Sequence, residues 1–380
     1  MPSIDVTVSC PVHDSFRVEQ VAGMFDVPLA EKATERFQVE LPTDVDDWQI
    51  GLIVGPSGSG KSTVARRAFS QELYESSDWP NDRAVVDCFG ELSLRHVVEL
   101  FTAVGFGSPP SWVKPYQVLS RGEQFRCDLA RALGKGQESR VESPKLECSD
   151  SPLSTLDSRL SLVVFDEFTS VVDRTVAKVC SAAIAKGIRN GNLPNRFVAV
   201  TCHYDVAEWL EPDWILDMAT GQLTRRCLRR PSIELEIHRC SLAAWELFKR
   251  HHYLSAELAL QARCYLVTWE GVPVSFSATL PIIAQYKHRR FTRIVTLPDF
   301  QGIGIGMRAV AAVAELHRAE GLRINVTSSH PALIRHCRRS SLWKAVSVKK
   351  SGGNRMASAT FPQYRSSAGR SVVSFEYMGT

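Results

Sequence analysis

Gly55-Pro56-Ser57-Gly58-Ser59-Gly60-Lys61-Ser62 decides how the first half of this 380-residue chain folds. Before it runs the apolar Ile50-Gly51-Leu52-Ile53-Val54, a short buried strand; after it Thr63-Val64-Ala65-Arg66-Arg67-Ala68-Phe69 has helix-forming composition. Strand, glycine turn and helix in that order make an anion cradle. Glycines let backbone N–H groups converge, and the opening helix presents its positive end. Lysine and serine at the close add a reach to the β and γ phosphates and a hydroxyl for Mg²⁺. Gly55, Ser57, Gly58, Gly60, Lys61, Ser62 and Thr63 are therefore expected to hold the phosphates of ATP, with Ser62 also a metal ligand.

Downstream, Ser161-Leu162-Val163-Val164-Phe165-Asp166-Glu167 is an apolar strand that delivers two adjacent carboxylates. Beside a phosphate cradle, Asp166 suits the Mg²⁺ and Glu167 the polarisation of water. Between the two lies Leu119-Ser120-Arg121-Gly122-Glu123-Gln124, leading into the helical Phe125-Arg126-Cys127-Asp128-Leu129-Ala130-Arg131-Ala132-Leu133. Ser170-Val171-Val172-Asp173 follows the carboxylates, and His203 follows the strand Phe197-Val198-Ala199-Val200-Thr201. This series of five motifs resembles the ABC-type ATPases in content and order. The resemblance implies that Ser120, Gly122 and Gln124 of one protomer close over the γ-phosphate held by another. It also implies a D-loop at 170–173, a switch role for His203, and a homodimer formed around two ATP. In two places the family pattern is not met: Arg121 replaces the second-position glycine of the signature, and no glutamine stands at the Q-loop position, where Asp87 is the candidate. Only 58 residues separate Lys61 from Leu119, so the helical segment that grips a membrane partner in transporters is expected to be shortened. Phe37 is the weak candidate for an adenine-stacking ring.

The chain's net charge of +4 hides an asymmetry: residues 1–224 carry 21 Lys and Arg against 32 Asp and Glu, a net −11, while 225–380 carry 24 against 9, a net +15. A basic half of that size attracts polyanions, nucleic acid among them. Ten cysteines lie scattered without C-x-x-C pairs, which reads as reduced, packed thiols. Nothing resembles a secretory signal or a membrane span, so a soluble cytoplasmic protein with no membrane partner is expected. The alternating apolar runs of residues 1–50 read as edge strands, and the polar stretch 134–159 as a surface loop. Four arginines and a proline at Arg225-Arg226-Cys227-Leu228-Arg229-Arg230-Pro231 put the boundary between an ATP-binding domain, 1–229, and a second domain, 230–380.

That second domain opens with an amphipathic helix from Ser241 (Leu242, Trp245, Leu247, Phe248) and a hairpin turning at Glu270-Gly271. A strand, Phe291 to Leu297, then meets Gln301-Gly302-Ile303-Gly304-Ile305-Gly306, a helix from Met307 to Glu320 and a strand at 323–327. Strand, Q-x-x-G-x-G and helix resemble motif A of the GNAT N-acyltransferases. A dinucleotide-binding turn is the competing reading of the glycines. The antiparallel hairpin before them, and the lack of an acidic residue about 20 positions later, disfavour it. The GNAT resemblance implies that Leu297, Gln301, Gly302, Gly304 and Gly306 bind acetyl-CoA or a related acyl-CoA. The fold class expected is α/β: an N-terminal ABC-type P-loop ATPase domain with a C-terminal GNAT-like α+β domain.

Thr327-Ser328-Ser329-His330-Pro331-Ala332-Leu333, with Leu297-Pro298-Asp299-Phe300-Gln301, is similar to the phage Mom-type branch, whose members modify DNA bases. That likeness implies catalytic roles for Ser328 and His330, the latter as general base, with Tyr286 and Tyr377 as weaker candidates for a general acid. The expected activity is ATP hydrolysis coupled to acyl transfer onto DNA or RNA bases. Two rivals stand beside it: an acyltransferase for a protein or small molecule under an ABC switch, and a non-catalytic nucleic-acid-binding ABC ATPase of the repair or chromosome-maintenance sort.

Overall fold

The computed structural model describes residues 3–11, 13, 15–27, 32–42, 48–76, 78–141, 160–225, 228–252, 258–282, 286–350 and 371–379. In chain order the elements are β1 (Ser3–Pro11), α1 (Phe16–Phe25), β2 (Lys32–Glu40), β3 (Ile50–Val54), α2 (Lys61–Ala68), α3 (Leu94–Ala103), α4 (Pro109–Trp112) and α5 (Arg121–Val141). There follow β4 (Ser161–Phe165), α6 (Arg174–Arg189), β5 (Asn195–Thr201), α7 (Ala207–Leu210), β6 (Trp214–Asp217), β7 (Gln222–Arg225) and β8 (Glu236–Cys240). The last are α8 (Trp245–Phe248), β9 (Arg263–Trp269), β10 (Val272–Pro281), β11 (His288–Thr296), α9 (Ile305–Ala319), β12 (Arg323–Ser328), α10 (Pro331–Arg339), β13 (Trp343–Lys350) and β14 (Ser371–Tyr377). No helix among the described residues is long and apolar enough to cross a membrane.

The chain divides into two compact units that interleave along the sequence. One comprises 1–75, 145–170 and 194–229; the other 76–144, 171–193 and 230–380. One break between the units falls at 229/230, and the helical segments 76–144 and 171–193 fall in the same unit as the basic half.

In the first unit a five-stranded sheet runs in the order β4-β5-β3-β6-β7. Its first four strands are parallel and β7 is antiparallel to β6. Every residue of β3 is buried, as the continuous apolar run of a central parallel strand requires. Gly51 cannot be larger there, because a Cβ would fall 2.1 Å from the Trp214 ring. Val64, Ala65, Val164, Val198, Val200 and Leu216 close the core. Residues 1–50 do not supply edge strands to this sheet: β1 and β2 pair with each other in a separate antiparallel ribbon.

The second unit holds α3 to α6 and a seven-stranded sheet in the order β13-β14-β12-β11-β10-β9-β8. All its neighbours are antiparallel except β11 and β12, which excludes the doubly wound alternative for the glycine turn. β9 and β10 turn at Glu270 (φ +51°) and Gly271 (φ +76°). The helix expected from Ser241 is broken into a 3₁₀ turn, the four-residue α8 and a second 3₁₀ turn. The loop expected from 134 begins later, since α5 continues to Val141; residues 142–159 lie outside the described set. α6 starts at Asp173, whose carboxylate accepts from the Thr175 and Val176 amides at 2.9 and 3.0 Å, an N-cap that satisfies two otherwise orphaned donors.

Two irregularities open this sheet. Ala278 pairs with Arg293 and Thr279 with Phe291, so Thr292 is an extra residue that bends β11. β11 then pairs with β12 only over His288–Arg290 against Arg323–Asn325. Beyond those residues the two parallel strands part.

Candidate functional sites

The first site lies in the first unit. A cavity of about 400 Å³ is lined by Phe37, Ser57, Gly58, Gly60, Lys61, Ser62, Thr63 and Glu167, with Val8, Cys10 and Glu35. Gly58 and Gly60 adopt φ of +81° and +80°, conformations that fit glycine and aim successive amides inward. Gly60 caps α2 in that left-handed state, and its missing Cβ leaves room for the Phe37 ring, 2.5 Å from where a Cβ would be. Phe37, the weak candidate from sequence, therefore borders the phosphate turn. Lys61 donates to the Pro56 carbonyl at 2.7 Å, a contact within its own loop. Ser62 Oγ donates to Asp166 at 3.0 Å, and the Glu167 amide donates to the same carboxylate oxygen at 2.9 Å. Hydroxyl and carboxylate from two elements thus converge, the oxygen donor set that a hard cation such as Mg²⁺ takes.

Behind them the backbone is strained. Glu167 has φ +53° and the buried Thr169 φ +67°, costly for a β-branched residue. Ser170 Oγ donates to Glu167 at 2.6 Å, and Thr169 Oγ1 meets His203 Nδ1 at 3.2 Å. The Thr201 hydroxyl accepts from the His203 amide at 3.1 Å. Asp166, Glu167 and His203 are brought to one end of the parallel strands with Ser62, while Gly55 sits at the turn's start, where a Cβ would meet Ser59 Oγ at 2.8 Å.

The remaining ATPase-type motif residues belong to the second unit. Ser120 caps α5 in a capping box: its amide and hydroxyl donate to Glu123 at 3.0 Å, and Ser111 donates to the other oxygen of that carboxylate at 2.7 Å. Burial disfavours the Glu123 charge, but these hydrogen bonds win and hold its pKa below the ordinary value. Ser120 is exposed. Gln124 turns inward and donates to the Tyr116 carbonyl at 3.0 Å, so its side chain is spent locally. Asp87 ends a 3₁₀ turn in this unit.

The second site is a cavity of about 700 Å³ within this unit. The parted ends of β11 and β12, the glycine loop, α10, α3 and α6 wall it. Gly302 (φ +92°) and Gly304 (φ +101°) carry the chain into α9, with Gly304 its left-handed N-cap. A Cβ on Gly306 would meet Thr296 Oγ1 at 2.6 Å. Ser328, at the end of β12, is buried; its hydroxyl accepts from the His330 amide at 2.9 Å. His330 precedes α10, its ring 6.1 Å from Trp112. Ser328, His330, Gln301 and the three glycines all line the cavity.

Two expected ligands are engaged otherwise. The Leu297 amide donates to the Val274 carbonyl at 3.0 Å and its side chain packs in a core cluster. The Gln301 side chain is a brace, donating to Thr296 O at 2.7 Å and accepting from the Gly107 amide at 2.8 Å. Tyr286 is 90% exposed and Tyr377 is buried against Trp343; neither lines the cavity. The sequence reading missed a basic wall: Lys186, Arg230, Arg308, Arg335, His336 and Arg339. These come from four separate stretches, and only the tertiary fold assembles them.

No family model matches the chain. Among curated proteins it is 26% identical to the sn-glycerol-3-phosphate import ATP-binding protein UgpC of Chromobacterium violaceum, over 34% of this chain and 42% of that one; the chain thus spans less than half of that relative's length. Among solved structures it is similar to a GNAT family acetyltransferase from Elizabethkingia anophelis with acetyl-CoA bound, at 10% identity and TM-score 0.29, covering 38% of this chain and 97% of that one. It is also similar to a dimeric ATP-binding cassette in a post-hydrolysis state bound to ADP and phosphate, at 15% identity and TM-score 0.35, covering 50% and 92%. In its motifs and strand orders the chain resembles an ABC-type ATP-binding fold and a GNAT-type acyltransferase fold.

Proposed function

We propose that this chain is an ATP-switched N-acyltransferase acting on nucleic-acid bases. What carries the reading is the possession of two equipped cavities, one with a phosphate cradle and paired carboxylates, the other with a glycine loop opening a helix beside parted strands. The net +15 of residues 225–380 favours a polyanionic acceptor over a neutral one.

In the ATPase cycle, the amides of Gly58 to Ser62 receive the phosphates and Lys61 exchanges the Pro56 carbonyl for the β and γ oxygens. Ser62 and Asp166 would hold Mg²⁺, which would offset phosphate charge. Glu167 accepts a proton from the attacking water as the new phosphorus–oxygen bond forms and ADP leaves. Ser120 and Gly122 of a second copy close over the γ-phosphate, so the working form is a homodimer around two ATP.

In the transfer step an amine nitrogen of the base attacks the thioester carbonyl of an acyl-CoA, the carbon–sulfur bond breaks, and the coenzyme departs as a thiolate that becomes the thiol on receiving back the proton lost by the amine. His330 takes the proton lost by the amine, and Ser328, by accepting from the His330 amide, positions it. The free amides at the start of α9 suit the pyrophosphate. Radiolabelled acetyl-CoA tests the reading. Label should pass to DNA or RNA with the wild type and fall by a hundredfold or so with His330→Ala. Label on a protein or a small amine instead would favour the first rival, and no transfer with retained nucleic-acid binding the second.

A further inference from the structure

The glycine loop of the acyltransferase-type sheet is enclosed by ATPase-type elements of the same unit. A Cβ on Gly302 would fall 2.8 Å from Ala183 Cβ on α6 and 2.8 Å from Gly105 Cα after α3. Arg126 of α5, fully buried, stands 3.8 Å from Asp299 just ahead of the loop. Lys186, in the last turn of α6, reaches furthest: its Nζ lies 3.5 Å from the Gly302 carbonyl and 2.9 Å from where a Gly304 Cβ would be. The ammonium is therefore at the mouth of the α9 amides, inside the 700 Å³ cavity.

The residues lining the cavity around it are mostly basic, and the one carboxylate among them, Glu99, is paired with Arg335. Burial first, then Arg230 and Arg308, depress the Lys186 pKa, and burial and Lys186 depress that of His336. Lys186 shares this half-buried wall with Arg230 and Arg308, whose charges disfavour its own, and an anion placed between Lys186 and the helix amides would offset that repulsion.

We propose that Lys186, carried on the helix that the D-loop Asp173 caps, is a ligand for the pyrophosphate of the acyl donor, so that the acyltransferase site is completed by an ATPase-type helix. This rests on the acyl-CoA reading above. Calorimetry with coenzyme A and with dephospho-coenzyme A, which keeps the pyrophosphate, tests it on the full-length protein. Lys186→Ala should weaken both ligands roughly tenfold or more, as loss of a charge-assisted contact does. Lys186→Arg should stay within about threefold of wild type, because the charge is kept. ATP affinity, read with a fluorescent analogue, should be the same in all three proteins. If wild type binds and Lys186→Ala binds equally well, the proposal is overturned while the acyl-CoA reading stands. An arginine variant no better than alanine overturns it too, since packing and not charge would then matter. A loss confined to coenzyme A would assign Lys186 to the 3′-phosphate and overturn the pyrophosphate assignment. Wild type binding neither ligand would remove the acyl-CoA reading and the proposal with it.

Discussion

Asp166 and Glu167 are neighbours in sequence, yet the backbone sends them to different tasks. Asp166 accepts from Ser62 and from the next amide, while Glu167, at a left-handed φ, lines the cavity with its own side chain. Glu167→Gln should keep ATP binding and lose roughly 10²–10⁴-fold in hydrolysis, the usual worth of a general base. It should also accumulate an ATP-dependent dimer on a sizing column; a monomer with ATP would contradict the sandwich. Lys61→Ala should instead weaken nucleotide binding by about tenfold or more. A different residue sets a pH response. His317 is buried among Tyr265 and Thr279, at 3.3 and 3.1 Å, and burial followed by the Arg289 charge pulls its pKa to about 4. The unfolded chain therefore takes that proton first. Stability owed to neutral His317 is complete above the ordinary 6.5 and is lost as pH falls from 6.5 through about 4. Melting temperature should drop between pH 7 and 5, and His317→Gln should flatten that slope.

At the scale of elements, the glycine loop is where local and tertiary demands meet. Gly302 needs a positive φ and also close approach to Ala183 and Gly105, so Gly302→Ala should cost about 1–3 kcal/mol and reduce coenzyme A binding; an unchanged melting curve would contradict the packing described. Elements written in local chemistry were legible before the fold was known: the P-loop strand and helix, the Glu270-Gly271 hairpin and the helix after the glycines. What failed did so for tertiary reasons. β1 and β2 alternate as edge strands do, but alternation does not name a partner, and they pair with each other. The composition of 134–141 is polar, yet it extends α5. Gln301 fits its motif position and lines the cavity, and its side-chain amide bonds to Thr296 and Gly107; no spacing rule reveals that contact with a loop nearly two hundred residues earlier.

For the whole molecule, the interleaved units matter more than the boundary at 229. The segments 76–144 and 171–193, which carry Ser120, Gly122 and Asp173, fold with the acyltransferase-type sheet. Lys186 shares a helix with the Asp173 cap, about 20 Å away at 1.5 Å per residue, so the proposed donor site and the segment after the paired carboxylates are carried by one element. The sequence assigned those residues to the ATPase because motifs record chemistry, and chemistry does not say which core a helix joins. The charge asymmetry makes a further prediction. Binding to DNA or RNA should weaken steeply with added salt, log affinity falling in proportion to the phosphates neutralised; a flat response would count against a nucleic-acid acceptor. The most direct measurement is mass analysis of nucleosides from DNA and RNA incubated with the protein and acetyl-CoA, with and without ATP. The account predicts a new acylated base mass that depends on ATP and disappears with His330→Ala. Unmodified nucleosides under conditions where coenzyme A demonstrably binds would contradict it.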